Sequence, residues 1–281
     1  MFSVYTQAYN ISKYNIDVKG ALINFLKFLE SDDEIVIAYN SIYERIDCDP
    51  DYKVLNEQIK DAKSEIGGDC ANVKVVQSKF VYDDPEFDGK VKNAALQATT
   101  EKVKIQMDID ERFDIKQKDM WRKILGPDLA DPKRGGVFCY LIPTIDLWGD
   151  ASKIRKNVNI GTKFRIHNGP CRRGVPNWAY NEDGTINTEK SDTTEPIDKK
   201  GFLVDSNYLI PPSLLTPETV DRLPFYTIHL GYLNFEYREK IDEFWNPHWA
   251  LRNGNKKQDP KQTIEKLAGE EVIDHNLKFE L

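Results

Sequence analysis

Apolar residues change their spacing along the first hundred positions in a regular way. Phe2-Ser3-Val4-Tyr5-Thr6-Gln7 reads as a buried strand, and Ala8-Tyr9-Asn10 as the polar turn that follows it. From Val18 to Leu29 the apolar positions Val18, Leu22, Phe25, Leu26 and Leu29 fall on one face of a helix, which Ser31-Asp32-Asp33 ends. Glu34-Ile35-Val36-Ile37-Ala38-Tyr39-Asn40 is a mostly β-branched run that suits a second strand. Asp51 to Lys63 is a second helix, with Tyr52, Leu55 and Ile59 on one face, and Val73-Lys74-Val75-Val76 is a third strand. Gly89 to Thr99 is a third helix, lined by Val91, Ala94, Ala95 and Ala98. Strands alternating with helices predict an α/β fold, a mostly parallel sheet with helices on both faces.

The fourth strand carries the first candidate chemistry. Val103 to Met107 alternates, then stops on Asp108-Ile109-Asp110. Side chains i and i+2 of a strand point to one side, so the two carboxylates are expected to converge past its C-terminal end. Ligands bind at that edge of open α/β sheets. Two oxygen donors there suit a hard cation, Mg²⁺ or Mn²⁺, shared with substrate phosphates. On its own, Asp-x-Asp is more commonly a solvated turn.

Beyond residue 115 the pattern is less regular. Trp121 to Ala130 predicts a short helix ending near Pro127, then a loop from Asp131 to Gly136. Val137 to Leu147 reads as one long strand interrupted at Pro143. Pro224 to Tyr232 is an apolar strand-like run meeting a single histidine, His229, before a helix from Phe235 to Phe244. Thr216-Pro217-Glu218 and Asp259-Pro260 are helix starts. The expected organisation is one continuous domain, with a ligand-binding half at 1–115 and an acceptor-binding half and C-terminal elaboration at 116–281.

Charge and cysteine content narrow the function. The net charge of −7 argues against a protein that grips nucleic acid over its whole surface. Yet Ala151 to Asn181 holds no acidic residue and carries Lys153, Arg155, Lys156, Lys163, Arg165, Arg172 and Arg173. That span is an anion-facing patch or a charge-protected edge strand. Cys48, Cys70, Cys139 and Cys171 lack metal-site spacing, which leaves a reducing compartment as the default. No signal-like start and no apolar run near the roughly 20 residues of a membrane span is present, so a cytoplasmic protein is expected.

The ordered set of segments resembles family 2 glycosyltransferases with the GT-A fold. Val4 to Asn10 resembles their first strand and turn, and Glu34 to Ser41 their second strand. Gly89-Lys90-Val91-Lys92-Asn93-Ala94-Ala95-Leu96 is similar to their Arg-Asn-containing helix start, and Asp108-Ile109-Asp110 sits where their metal motif sits. The likeness covers about the first 115 residues. It implies a nucleotide-sugar donor and a glycan or other hydroxyl acceptor. Nucleic acid is not an expected partner, although a modified base remains open as an acceptor. It also implies that Asp108 and Asp110 bind Mn²⁺ or Mg²⁺, with Asp110 the more direct ligand. Lys92 would contact phosphate, with Asn93 beside it, and Gln7 and Tyr9 would line the nucleoside pocket. The family carries an acid at the end of the second strand to read the base; here Asn40 takes that place. Lys163 to His167 resembles the strand that follows the metal motif, and Glu195 falls on the glutamate position of a general base, with Asp150 and Asp192 in reserve. His229 and Tyr232 resemble the family's closing His-x-x-Tyr, which implies a further metal ligand. For each of these side chains the plain structural role, in a turn, a helix start or a core, stays open.

The implied reaction is inverting transfer of a hexosyl or pentosyl group. Trp148, Trp178, Trp245 and Trp249 lie in the second half, where aromatic faces stack on sugars or fill a core. A nucleotidyltransferase is the first alternative, although Thr6-Gln7-Ala8-Tyr9 lacks the expected Gly-rich loop. A non-catalytic carbohydrate- or polyanion-binding protein is the second.

Overall fold

The computed structural model describes residues 1–80, 87–101, 103–130, 139–155, 163–167, 171–174, 193–196, 207–208, 225–233, 235, 238–241, 272–274 and 279–281. The α/β arrangement expected from the sequence, a largely parallel sheet flanked by helices, is the one the chain adopts. Strands β1 (Phe2–Ala8), β2 (Glu34–Asn40), β3 (Asn72–Ser78) and β4 (Val103–Gln106) are parallel, in the order β3-β2-β1-β4. The helices between them are α1 (Ile11–Tyr14), α2 (Val18–Phe28), α3 (Pro50–Ile66) and α4 (Phe87–Gln97).

Alternation along β2 shows why both faces are covered. Ile35, Ile37 and Tyr39 join the core shared with Leu22, Phe25 and Leu55 of α2 and α3. Val36 and Ala38 point the other way, to Val91, Ala95 and Leu96 of α4. Every residue of β1 and β2 is buried. Each large side chain so placed contributes about 1.5–3 kcal/mol. The observed bounds of β2 coincide with the apolar run, because polar Ser41 and Asp33 flank it.

Past β4 the chain makes a tight turn into β5 (Glu111–Phe113), which belongs to a second sheet. Both amide groups of Phe113 bond to one side chain, Asn24 of α2, at 2.9 and 2.8 Å. The Phe113 ring stacks on Phe28 at 3.9 Å, with Trp121 of α5 (Lys118–Ala130) against both. Helix α5 runs through Pro127 rather than ending at it.

The expected single strand from Val137 to Leu147 is corrected here. The chain forms β6 (Cys139–Ile142) in the first sheet and β7 (Thr144–Trp148) in the second. Pro143 stands between them, with no N–H to give to a ladder, and breaks the pairing. After β7 come β8 (Asp150–Arg155), β9 (Lys163–His167), β10 (Cys171–Gly174), β11 (Thr193–Pro196), β12 (Asn207–Tyr208), β13 (Thr227–His229) and β14 (Val272–Asp274). The first sheet is completed as β12-β6-β9-β4-β1-β2-β3, and the second runs β14-β8-β7-β13-β5. Strand β9 is antiparallel to both β4 and β6. The basic span therefore supplies strands to several pairings. The loop from Asp131 to Gly136, both Pro-initiated helix starts and Trp178, Trp245 and Trp249 lie outside the described residues. Among the described residues no helix is long and apolar enough to cross a membrane.

Candidate active site

The turn that carries Asp108 and Asp110 is built by its own backbone. Strand β4 ends at Gln106, so the two aspartates sit in a turn and not on an extended strand. The Glu111 N–H donates to the Asp108 carbonyl at 3.0 Å. In return the Glu111 carboxylate, fully buried, accepts the Asp108 N–H at 2.7 Å. Arg112 donates to the carbonyls of Ile109 and Glu111 at 2.9 and 2.8 Å and faces Asp17 at 3.6 Å. The turn thus has few unpaired groups through which to relax.

Its two carboxylates have different partners. Asp108 Oδ1 accepts from Gln106 at 2.8 Å and lies 3.1 Å from Lys92 Nζ. Lys92, buried on α4, also lies 3.2 Å from Asp88. Asp88 in turn accepts from Gln7 Nε2 at 2.5 Å, which draws the end of β1 into the same network. Lys92 is therefore an ammonium between two carboxylates, not a side chain extended into solvent.

Asp110 faces the other way. Its carbonyl accepts the Leu230 N–H at 2.8 Å, and its Oδ2 lies 3.1 Å from His229 Nε2. The other ring nitrogen, Nδ1, is 2.7 Å from Asp146 Oδ1. The register accounts for this row: His229 of β13 stands opposite Asp146 of β7 on one side and Glu111 of β5 on the other. Burial alone would push the His229 imidazolium down, but Asp110 and then Asp146 outweigh it and raise its pKa to about 10. Without a cation the ring is charged and both nitrogens donate. The side chains of Asp108 and Asp110 keep 22% and 26% of their surface, which leaves both within reach of a ligand.

The donor set fits a hard divalent cation. A carboxylate oxygen and an imidazole nitrogen face each other across 3.1 Å, and the far nitrogen of the ring is held by a second carboxylate. That back-support is the usual environment of a metal-bound histidine. Among the described residues no cluster of three or more ready-made ligands occurs. Cations that retain water and share substrate phosphates do not need one.

The remaining expected residues are placed as follows. Asn40 ends β2, and its carboxamide is engaged by β3 and the chain beyond it: Oδ1 accepts from Phe80 N at 2.8 Å and Ser78 Oγ at 3.2 Å, and Nδ2 donates to the Phe80 carbonyl at 3.3 Å. Tyr9 packs edge-on against Phe87, centroids 5.9 Å apart. Asn93 is half-buried on α4, next to Lys92. Glu195 lies in β11 with its backbone opposite Arg172 of β10; its side chain lies outside the described residues, as does Asp192. Asp150 is exposed at the start of β8, where bonds from Ser152 hold its carboxyl below the usual carboxylate range. Trp148 is buried against Tyr232 and Phe235.

Sequence reasoning missed Asp146, Asp88, Glu111 and Gly231. The usable signal for Asp146 was a lone acid inside the apolar run Thr144-Ile145-Asp146-Leu147-Trp148. That of Gly231 was a glycine two residues after the only histidine of the segment.

No protein-family model matches the chain, and no curated protein matches it. Among solved structures it is similar to S. aureus TarS 1–349, at 14% identity over 95% of this chain and 68% of that one, with a TM-score of 0.39. It is also similar to S. aureus TarS, at 12% identity with a TM-score of 0.40, and spans 42% of that chain. A third is the mannosyltransferase PcManGT from Pyrobaculum calidifontis, solved in complex with GDP-Man and Mn²⁺, at 14% identity over 95% of this chain and 68% of that one, TM-score 0.40.

Proposed function

We propose that the chain is a metal-dependent glycosyltransferase that moves a hexosyl or pentosyl group, with inversion, from a nucleotide-diphosphate donor to an acceptor hydroxyl in the cytoplasm. One observation carries the reading. Asp110 Oδ2 and His229 Nε2 lie 3.1 Å apart at the end of the parallel sheet, with Asp146 behind the ring. Asp110 and His229 would hold Mn²⁺ or Mg²⁺, with Asp108 beside them. The bound cation supplies Lewis-acid stabilisation of charge on a departing diphosphate.

The chain's own residues do the rest. Lys92 keeps the Asp108 and Asp88 charges balanced at the rim and offers its ammonium to phosphate when a donor enters. Gln7 and Tyr9, at the end of β1, border the nucleoside. Glu195 takes the proton from the acceptor hydroxyl as general base. Asn40, with its amide engaged, shapes the end of β2 around the base instead of reading it through a free edge.

The test is Asp110→Ala. Transfer and donor hydrolysis should fall at least about 100-fold, a loss of roughly 2.7 kcal/mol of transition-state stabilisation. The Mn²⁺-dependent thermal shift with UDP or GDP should vanish. The metal-free Tm should fall because the His229 imidazolium loses a carboxylate partner, with circular dichroism still reporting a folded chain. Full transfer by the variant at saturating Mn²⁺ would overturn the metal assignment. A thermal shift with nucleoside triphosphates alone would point to nucleotidyl transfer.

A further inference from the structure

Asp146 has no place in the expected site, yet it makes the shortest contact to the ring at its centre. It lies on β7, in the second sheet, 83 residues before His229. The β7–β13 ladder is parallel, with Thr144 opposite Thr227 and Asp146 opposite His229. The two threonine hydroxyls bond across the ladder at 3.0 Å. Two residues further along, the same side of the ladder presents Asp146 Oδ1 to His229 Nδ1 at 2.7 Å. The neighbours Ile145, Leu147 and Trp148 are buried, so the carboxylate is fixed by a packed strand and not by a loop.

We infer that Asp146 is a positioning residue: it holds the Nδ1–H of His229, fixes the ring plane and tautomer, and so presents Nε2 toward Asp110 and the cation. This rests on the function proposed above. An imidazole has two nitrogens, and only the one without a proton ligates a metal. A carboxylate on Nδ1 leaves Nε2 as that nitrogen once a cation replaces the second proton. Removal of such a partner typically costs 10–100-fold in metal affinity.

The experiment is a double-mutant cycle on Mn²⁺ binding, read by loss of the free-ion EPR signal with UDP and with GDP. Asp146→Asn should weaken Mn²⁺ binding by about 10–100-fold. In the His229→Gln background the same substitution should do nothing further, because its effect passes through the ring. A purely structural or charge-balancing role would weaken binding equally in both backgrounds, and that result overturns the inference. In the parent protein loaded with Mg²⁺, proton NMR should show a protected, downfield Nδ1–H of His229 that Asp146→Ala, which removes the acceptor, abolishes. Persistence of that signal also overturns it. If the parent binds Mn²⁺ and Asp146→Asn binds it equally well, only this inference falls. If the parent binds no Mn²⁺ with either diphosphate, the proposed function falls as well.

Discussion

Gly231 sits where a single methyl group would reach the centre of the site. A Cβ there would lie 2.6 Å from His229 Nε2, 2.9 Å from its Cε1 and 3.0 Å from Asp110 Oδ2. Its backbone carries no positive φ, so alanine brings a clash and no conformational penalty. The ring cannot simply swing aside, because Asp146 holds its far nitrogen. Gly231→Ala should therefore displace the Nε2–Oδ2 pair and abolish the Mn²⁺-dependent thermal shift. Overpacking of this kind costs about 1–3 kcal/mol, or a few degrees in Tm. Circular dichroism should still report a folded chain. A variant that shifts with Mn²⁺ as the parent does would show that the imidazole has room to spare. At this scale the sequence made Asp110 and His229 visible through their local contexts. It hid Asp146, because one acid in an apolar strand looks the same whether it meets solvent or a histidine on a distant strand.

Helix α3 shows how an element is tied to the sheet edge that carries the site. Asp49 caps it: one carboxylate oxygen accepts the Asp51 and Tyr52 N–H groups at 2.9 and 3.2 Å. The other accepts the Tyr39 hydroxyl and, at 2.7 Å, that of Ser41. Burial, together with that carboxylate, keeps the Tyr39 phenol protonated well above its ordinary range. Asp49→Ala removes a cap worth about 0.5–2 kcal/mol. It also leaves the buried Tyr39 hydroxyl without its acceptor, a further cost of about 1–3 kcal/mol. Urea unfolding should show a loss near the sum of these, and a smaller one for Asp49→Asn, which keeps the cap. A loss no greater than that of an ordinary exposed cap would mean that Tyr39 finds another acceptor. Elements with one dominant period, such as β2 and α2, were legible from sequence. The stretch around Pro143 was not, because an apolar run looks continuous whether its halves share a sheet or part into two.

Across the whole molecule, half-buried and buried acids gather at the two ends of the parallel sheet and are satisfied by different mixtures of partners. At the end that carries the site, Asp108, Asp110 and Asp146 face the cationic side chains Lys92 and His229, partners that an incoming cation or phosphate can displace. At the other end backbone N–H groups share the work with a cationic side chain, Arg122, which pairs with Asp33. Asp33 accepts the N–H groups of Phe2 and Glu30, and Glu34 accepts from Thr100 N and Ser3 Oγ. Burial would raise the Glu34 pKa, but the bonds from Ser3 and Thr100 outweigh it and hold it below its ordinary 4.5. A depressed carboxyl stabilises the fold above its unfolded pKa and loses that stabilisation as pH falls through the folded value. Glu34 therefore contributes fully at neutral pH and progressively less below about pH 4.5. Glu34→Gln keeps an acceptor but not the charge, and hydrogen bonds to a charged group are worth about 1.5–3 kcal/mol. The variant should be less stable than the parent by roughly that amount at about pH 7, and the gap should narrow toward about pH 3. Urea midpoints at the two pH values measure it. A gap that stays constant would place the acid sensitivity of the fold in another carboxylate. The same substitution should leave the Mn²⁺-dependent shift with UDP unchanged, since Glu34 stands at the end of β2 opposite to the one that leads to the site.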